Sequence, residues 1–149
     1  MRQRPFRAIP GGMTQQGGEK GRLGAVAVLG AGTMGHGIAQ VFAAAGATVR
    51  LYDIDLGRVE KGRAQIESGL QRVAAKGKIS AADVTRITGA ISGVTDLAQA
   101  VTGTSLVVEA VPEDMSLKVE LFKKVSAAAP ADAIFASNTS SLSITELGT

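Results

Sequence analysis

Apolar and polar positions alternate along the chain with two periods, which predict strands and helices in turn. Residues 25–29 form an unbroken apolar run that ends at a glycine, as is typical of a strand buried on both faces. The next apolar residues recur at helical spacing and predict the buried face of a helix that stops at Gly46; they are Met34, Ile38, Val41, Phe42 and Ala45. A second strand is predicted over 48–52. Together these elements make a βαβ unit, whose crossover is right-handed in nearly all proteins.

The middle of the chain continues this alternation. Asp55 can cap a second helix, whose apolar stripe is Val59, Ile66, Leu70 and Val73. Ser80 and Asp83 have the spacing of a capping box and predict the start of a third, shorter helix. We expect one short strand within 87–94 and a brief helix over 96–100.

The last third of the chain predicts two more strands around one helix. The strands are expected over 105–111 and 133–136. The helix between them has its apolar side at Leu117, Leu121, Phe122, Val125 and Ala128. A polar loop over 137–142 follows, and Ser143 with Glu146 has the spacing that opens a further helix. The whole pattern predicts an α/β fold of the Rossmann type, a doubly wound, mostly parallel sheet with helices on both faces, whose last predicted element is interrupted by the end of the chain.

Composition and charge narrow the function classes. The chain has 149 residues, no cysteine and one histidine, which excludes metal sites and thiol chemistry built on those residues. Its net charge is +3, but residues 1–22 hold five basic residues and one acidic residue, so the remainder is close to neutral. Nucleic-acid binding therefore loses its main support. No apolar run reaches the roughly 18 residues of a membrane span, and the absence of cysteine fits the cytoplasm.

The same composition divides the chain in two. Residues 1–22 combine Gly, Gln, Arg and Pro without apolar periodicity, and we expect a flexible N-terminal arm there. The periodic pattern begins after it, so residues 23–149 are predicted to form one domain, incomplete at its carboxyl end.

The sharpest motif is the G-x-G-x-x-G turn between the first strand and the first helix. Gly30 permits the tight turn, Gly32 lets the backbone approach a pyrophosphate, and Gly35 allows the helix to pack closely on the strand. Thr33 and Met34 lie within the same turn. Free N–H groups and the positive end of the helix dipole then receive the phosphates without a lysine. A Walker A loop would require a Gly-Lys-Ser/Thr ending, which the motif lacks.

An acidic residue follows at the distance that a dinucleotide site requires. Asp53 ends the second strand, where its carboxylate can accept hydrogen bonds from ribose hydroxyls. It would repel a 2′-phosphate, and no arginine directly follows it, so NAD is favoured over NADP. FAD and S-adenosylmethionine proteins also use such a turn, and on the residues alone they stay open as alternatives. His36 lies in the first helical turn and is interpreted as a local packing or solvent-facing residue.

Four segments together resemble one family. They are VAVLGAGTMGHGIA, YDID around Asp53, VVEAVPEDMSLKVELF from Val107 and IFASNTSSL from Ile134. The chain resembles the amino-terminal, NAD-binding domain of the short-chain and medium-chain L-3-hydroxyacyl-CoA dehydrogenases, a family that includes 3-hydroxybutyryl-CoA dehydrogenase. The first segment is shared with many NAD enzymes, whereas the last two at this spacing are far more specific.

The resemblance implies a set of cofactor contacts. The residues of the glycine turn and Asp53 contact the diphosphate and the adenosine ribose of NAD. Glu113 and Lys118 match acidic and basic positions beside bound NAD, and Asn138 is a further cofactor contact in the polar loop.

The resemblance also implies substrate contacts. Ser140 matches the serine that hydrogen-bonds the substrate oxygen near the nicotinamide and contacts the acyl-CoA. Lys76 matches a lysine associated with the CoA moiety, at the end of a helix rich in basic residues. The residues alone leave open whether that basic face is simply solvated or holds an anionic substrate. At the position of a further CoA-contacting serine the chain has Gly69, which puts that contact in doubt.

The reaction implied is oxidation of a 3-hydroxyacyl-CoA to the 3-oxoacyl-CoA with hydride transfer to NAD, in fatty acid (β-oxidation) and butanoate metabolism. The family's general base is a histidine oriented by a glutamate, and both follow the SNTSSL segment. Residues 141–149 offer no replacement. We therefore expect residues 1–149 to bind NAD with negligible turnover. By the resemblance, the chain is truncated before the last strands of the sheet and lacks the helical domain that forms the homodimer and much of the acyl pocket. The alternative is a stand-alone nucleotide-binding or regulatory module without catalysis.

Overall fold

A computed structural model describes residues 24–139, which form five strands and five helices. In chain order the elements are β1 Ala25–Leu29, α1 Thr33–Ala44, β2 Thr48–Tyr52, α2 Leu56–Ala75, α3 Ala81–Gly89, β3 Ile91–Val94, α4 Leu97–Val101, β4 Leu106–Glu109, α5 Met115–Ala128 and β5 Ile134–Ser137. All neighbouring strands are parallel, and their order is β3-β2-β1-β4-β5. This confirms the predicted Rossmann-type fold.

The sheet carries a core on each face because successive side chains of its strands point to opposite sides. Val26 and Val28 of β1 face the larger core, which packs against α1, α2 and α3. Ala27 and Leu29 face the smaller core, which packs against α4 and α5. The helices before β3 therefore pack on one face of the sheet, and the helices after it pack on the other. The neighbouring strands β1 and β4 are followed by α1 and α5, which lie on opposite faces. That reversal opens a crevice at the carboxyl ends of these two strands.

The buried face of α1 differs from the predicted stripe. Met34 and Val41 are 55% and 68% exposed, and the fully buried residues are Gly35, Ala39 and Ala43. Of the rest of the predicted stripe, Ile38 and Phe42 pack only at the margin of the core and Ala45 is exposed. The reason is that α1 approaches β1 too closely for large side chains, so its contact face consists of small residues.

Helix α5 departs from the predicted stripe in a similar way. Leu117 is 44% exposed, whereas Lys118 is fully buried beside Val125. The remaining predicted members, Leu121, Phe122 and Ala128, are partly buried. A lysine is buried here because carboxylates of neighbouring segments neutralise its charge, and an apolar pattern does not show such pairing.

The predicted bounds of the last two strands are close to the observed ones, and they differ at residues near polar side chains. The strand predicted over 105–111 is shorter, β4, because Glu109 ends it; the strand predicted over 133–136 is β5, one residue later. Of the segment 87–94, the beginning belongs to α3 and the end forms β3. Residues 1–22, Ser140 and the helix predicted from Ser143 lie outside the described residues.

Side-chain caps distinguish α1 from the other four helices that the structure describes. Each of α2, α3, α4 and α5 begins at a side chain that accepts a backbone N–H, namely Asp55, Ser80, Asp96 and Asp114 in turn. Ser80 and Asp83 form the predicted capping box. Helix α1 begins at Gly32 with no side-chain cap and no acidic residue in its first turn. Its first N–H groups therefore have no partner among the side chains of the described residues.

Candidate NAD-binding site

An open cleft of about 810 Å³ lies across the carboxyl ends of the central strands. One part of its wall is the glycine turn and the start of α1; the opposite parts come from the loop after β4, from α5 and from the segment after β5. Its lining includes Gly30, Gly32, Thr33, Met34, Asp53, Arg58, Lys61, Val111, Glu113, Leu121 and Asn138. A volume of this size suits an extended organic ligand.

The three motif glycines are required for different reasons. Gly30 has a φ of +106°, and a Cβ there would lie 2.7 Å from the carbonyl oxygen of Ala110. At Gly35 a Cβ would lie 1.6 Å from the carbonyl oxygen of Gly30, so only glycine allows α1 to pack here. Gly32 differs from both: its φ is −71°, and a Cβ would have no heavy atom within 4 Å. Neither backbone conformation nor packing explains this glycine, whereas the approach of a ligand does.

The start of α1 has the properties of an anion site. Its uncapped N–H groups open into the cleft beside Gly32, where Thr33 and Met34 line the wall. The helix dipole adds positive potential at the same point. His36 lies one turn into the helix, where its Nδ1 is 2.8 Å from the carbonyl oxygen of Gly32, in keeping with the predicted local role. The turn therefore fits a diphosphate by its backbone alone.

Asp53 is held rigidly at the edge of the cleft. Its carboxylate is nearly buried and accepts the N–H of Ala31 at 3.1 Å on one oxygen and the N–H of Asp55 at 3.2 Å on the other. Each oxygen has a second lone pair for a ribose hydroxyl. Arg58 and Lys61 of α2 line the cleft as well. Their presence in the cleft was not predicted, because they follow Asp53 by five and eight residues and not directly.

A buried ion cluster lies at the end of β4, which neighbours β1 on the side away from β2 and Asp53. We call it the Glu109–Lys118–Glu113 cluster. The ammonium of Lys118 is 3.1 Å from Oε2 of Glu109 and 2.9 Å from Oε1 of Glu113. Glu109 and Lys118 are fully buried, whereas the Glu113 side chain is 40% exposed. Only Glu113 of the three lines the cleft. The cluster thus places one negative carboxylate in the cleft wall with an ammonium behind it.

The cluster keeps its lysine charged. Burial by itself lowers the pKa of the Lys118 ammonium, but hydrogen bonds to Glu113 and Glu109, together with their charges, outweigh burial and raise that pKa above its ordinary value. Lys118 is accordingly a permanent cation at physiological pH.

The structure brings most of the predicted site residues together. Those lining the cleft are Gly30, Gly32, Thr33, Met34, Asp53, Glu113 and Asn138. Gly35 is buried behind the turn, and Lys118 contacts the cleft only through Glu113. Lys76 caps the far end of α2, about 20 Å along the helix from Lys61. Glu109 was not predicted as a site residue. Its only signal in the sequence is that it is an acidic residue at the end of the apolar run of β4.

Comparison with known proteins decides the family. Residues 25–149 match the family model described as "3-hydroxyacyl-CoA dehydrogenase, NAD binding domain". The chain belongs to this family. Among its curated relatives are the mitochondrial hydroxyacyl-coenzyme A dehydrogenase of Sus scrofa, 46% identical over 127 residues, and a probable 3-hydroxybutyryl-CoA dehydrogenase of Bacillus subtilis, 40% identical over 122 residues. Each alignment covers 82% of this chain, but only 40% and 42% of the relative.

Solved structures of the family agree with the fold. The 3-hydroxybutyryl-CoA dehydrogenase of Escherichia coli K12 superposes with a TM-score of 0.82 at 35% identity, over 84% of this chain and 26% of that one. The (S)-3-hydroxybutyryl-CoA dehydrogenase of Ralstonia eutropha gives 0.79 at 41% identity, over 83% and 43%. The chain spans less than half the length of these relatives, and the shared part is the NAD-binding domain of an NAD-dependent oxidoreductase family. Within residues 24–139, no helix is long and apolar enough to cross a membrane.

Proposed function

We propose that the protein oxidises a 3-hydroxyacyl-CoA to the 3-oxoacyl-CoA and that this chain supplies its NAD-binding part. The observation that carries the proposal is the juxtaposition, in one cleft, of an uncapped helix start at Gly32 and a fixed carboxylate at Asp53. Relatives named 3-hydroxybutyryl-CoA dehydrogenase support the substrate class. When bound, NAD supplies a hydride acceptor at its nicotinamide ring.

In this proposal, different residues of the cleft hold different parts of the dinucleotide. The N–H groups at Gly32, Thr33 and Met34 receive the diphosphate, and Asp53 accepts the adenosine-ribose hydroxyls. Glu113 and Asn138, which line the cleft on the side of the loop after β4, would hold the nicotinamide half. A carboxylate at Glu113 favours a ring that carries positive charge, which is the oxidised form.

The substrate contacts belong to the same proposal. Ser140 would donate a hydrogen bond to the reacting oxygen of the substrate. In the sequence it comes two residues after Asn138, which lines the cleft. Lys76 attracts the phosphates of CoA at the far, exposed end of α2. We further propose a homodimer and a cytoplasmic location. Relatives include proteins named as mitochondrial and bacterial enzymes, so the family does not decide the compartment.

The test is an assay of the complete gene product with 3-hydroxybutyryl-CoA and NAD, in which the absorbance of the NADH formed is measured. We expect oxidation, and Ser140→Ala should lower kcat/KM by roughly 10- to 100-fold, as loss of a hydrogen bond to developing charge does. Residues 1–149 alone should bind NADH with negligible turnover. NADH binding without oxidation by the complete product would instead identify a non-catalytic nucleotide-binding module.

Cofactor choice provides a test of Asp53. We expect this chain to bind NADH about 100-fold more tightly than NADPH, because Asp53 gains hydrogen bonds from the ribose and repels a 2′-phosphate. In Asp53→Asn the preference should narrow to about tenfold, mainly by loss of NADH affinity. Fluorescence titration of both reduced cofactors measures this.

The matched control for Asp53 is Asp132→Asn, an exposed position outside the cleft, which should leave both affinities unchanged. Equal binding of NADH and NADPH by the wild-type chain would contradict the role given to Asp53.

A further inference from the structure

The carboxylate of Glu109, at the end of β4, has three polar partners. One carboxylate oxygen accepts the N–H of Val111 at 2.6 Å, and the other accepts the hydroxyl of Ser137 at 2.5 Å. The latter oxygen also faces the Lys118 ammonium. The backbone carbonyl of Glu109 accepts the N–H of Asn138 at 2.8 Å. A single buried residue therefore contacts the loop after β4, the start of α5 and the segment after β5.

A second bridge runs parallel to the first. Glu113 accepts the ammonium of Lys118 with one oxygen and the hydroxyl of Thr139, at 2.9 Å, with the other. Lys118 thus joins two carboxylates, and each carboxylate holds a hydroxyl of the segment Ser137–Thr139. Asn138, between those hydroxyls, lines the cleft. Asn138 is therefore flanked on both sides by hydroxyl groups whose carboxylate partners both contact Lys118.

Fold stability alone does not explain a buried charge cluster. Replacing a buried ion pair with apolar residues of similar size often leaves a protein equally stable, since desolvation offsets the attraction between the charges. Such a cluster does fix geometry, because charged hydrogen bonds are short and directional. Its location at the edge of the cleft, between two cofactor-facing segments, gives that geometry a use.

We infer that Glu109 is a positioning residue: through Lys118 and Ser137 it fixes the loop after β4 and the Asn138 segment relative to each other, which sets the width of the cleft on its nicotinamide side. Glu109 itself is fully buried and does not line the cleft, so it acts only through other residues. This inference deepens the proposed function and rests on its assignment of the nicotinamide half to that side.

The variant that tests it is Glu109→Gln, which keeps the size of the side chain and removes its charge. The amide cannot accept from Val111, Ser137 and Lys118 together, so the two segments lose their common anchor. We expect the Kd for NADH, measured by fluorescence titration of the full 149-residue chain, to rise about tenfold. Glu67→Gln, an exposed position on α2 outside the cleft, is the matched control and should leave the Kd unchanged.

Two readouts separate positioning from general structural damage. Amide NMR signals of Val111 and Asn138 should move in Glu109→Gln, while those of β2 stay in place. In a Lys118→Met background the same substitution should have less than half its effect on the logarithm of Kd, because the path through Lys118 is already broken. An unchanged Kd in the folded single variant, or full additivity with Lys118→Met, overturns the inference.

A third variant covers the case in which Glu109→Gln does not fold. Ser137→Ala removes only the hydroxyl that Glu109 holds, and it should raise the Kd for NADH about threefold and shift the Asn138 amide signal. No change in either quantity overturns the inference as well. Absence of dehydrogenase activity in the complete gene product, with NADH binding intact, would overturn the proposed function and leave this inference standing.

Discussion

Gly32→Val should weaken NADH binding roughly 100-fold and leave the melting temperature of the protein nearly unchanged. The backbone of Gly32 has an ordinary extended conformation, and a side chain there meets no protein atom within 4 Å, so the fold accepts valine. In the proposed function, a diphosphate would approach the start of α1 through the space that valine fills. Loss of two charged hydrogen bonds to that diphosphate corresponds to about 3 kcal/mol. Calorimetric titration with NADH and a thermal melt measure both quantities.

A glycine within α1 provides the control for Gly32→Val. Gly37 also has open space around its Cβ position and lies one turn farther along the helix, outside the cleft. Gly37→Ala should bind NADH normally and melt slightly higher, because alanine favours the helix. Wild-type affinity in Gly32→Val would show that the phosphates bind elsewhere, and the site assigned to the glycine turn would be wrong.

Lys118→Met should destabilise the protein by about 3–5 kcal/mol. The substitution leaves Glu109 charged and fully buried without its ion-pair partner, and methionine fills the volume of the lysine stem without neutralising that charge. Urea denaturation followed by circular dichroism measures the loss. The matched control is Lys123→Met on the same helix, an exposed position, which should be close to neutral.

The same cation gives stability a defined dependence on pH. Because the folded state raises the pKa of Lys118 above its ordinary value of 10.5, its contribution is fully present below that value and is lost as pH rises through the higher, folded pKa. The unfolding free energy of the wild type should therefore decline above about pH 10.5, and Lys118→Met should lose this part of the decline. Identical alkaline profiles for the two proteins would contradict the ion cluster.

Local signals in the sequence were sufficient to predict the fold and part of the candidate site. Parallel strands buried on both faces leave unbroken apolar runs, and helices leave a 3.6-residue period, so the order of elements was predicted and confirmed. The glycine turn and Asp53 were also predicted, because their chemistry depends on neighbours along the chain: the strand end, the helix start and the spacing between them.

Other features of the site depend on contacts between segments distant in sequence. Glu113 lies close to Lys118 in the sequence, but a nearby carboxylate fits an exposed ion pair equally well. The burial of Lys118 depends on Glu109, which reaches it from β4, and Ser137 reaches Glu109 from β5. A periodic apolar pattern assigns a lysine to solvent, and only its paired charges reverse that assignment.

The sequence alone determined the fold class, the glycine turn between β1 and α1 and the family resemblance, because each of these is encoded in residues that are close along the chain. The tertiary structure decided which face of α1 is buried, that Arg58 and Lys61 share the cleft with Asp53, and that Glu109 lies at the centre of an ion cluster. These three depend on how closely the elements approach one another in space, and that distance is set by packing, to which the whole chain contributes.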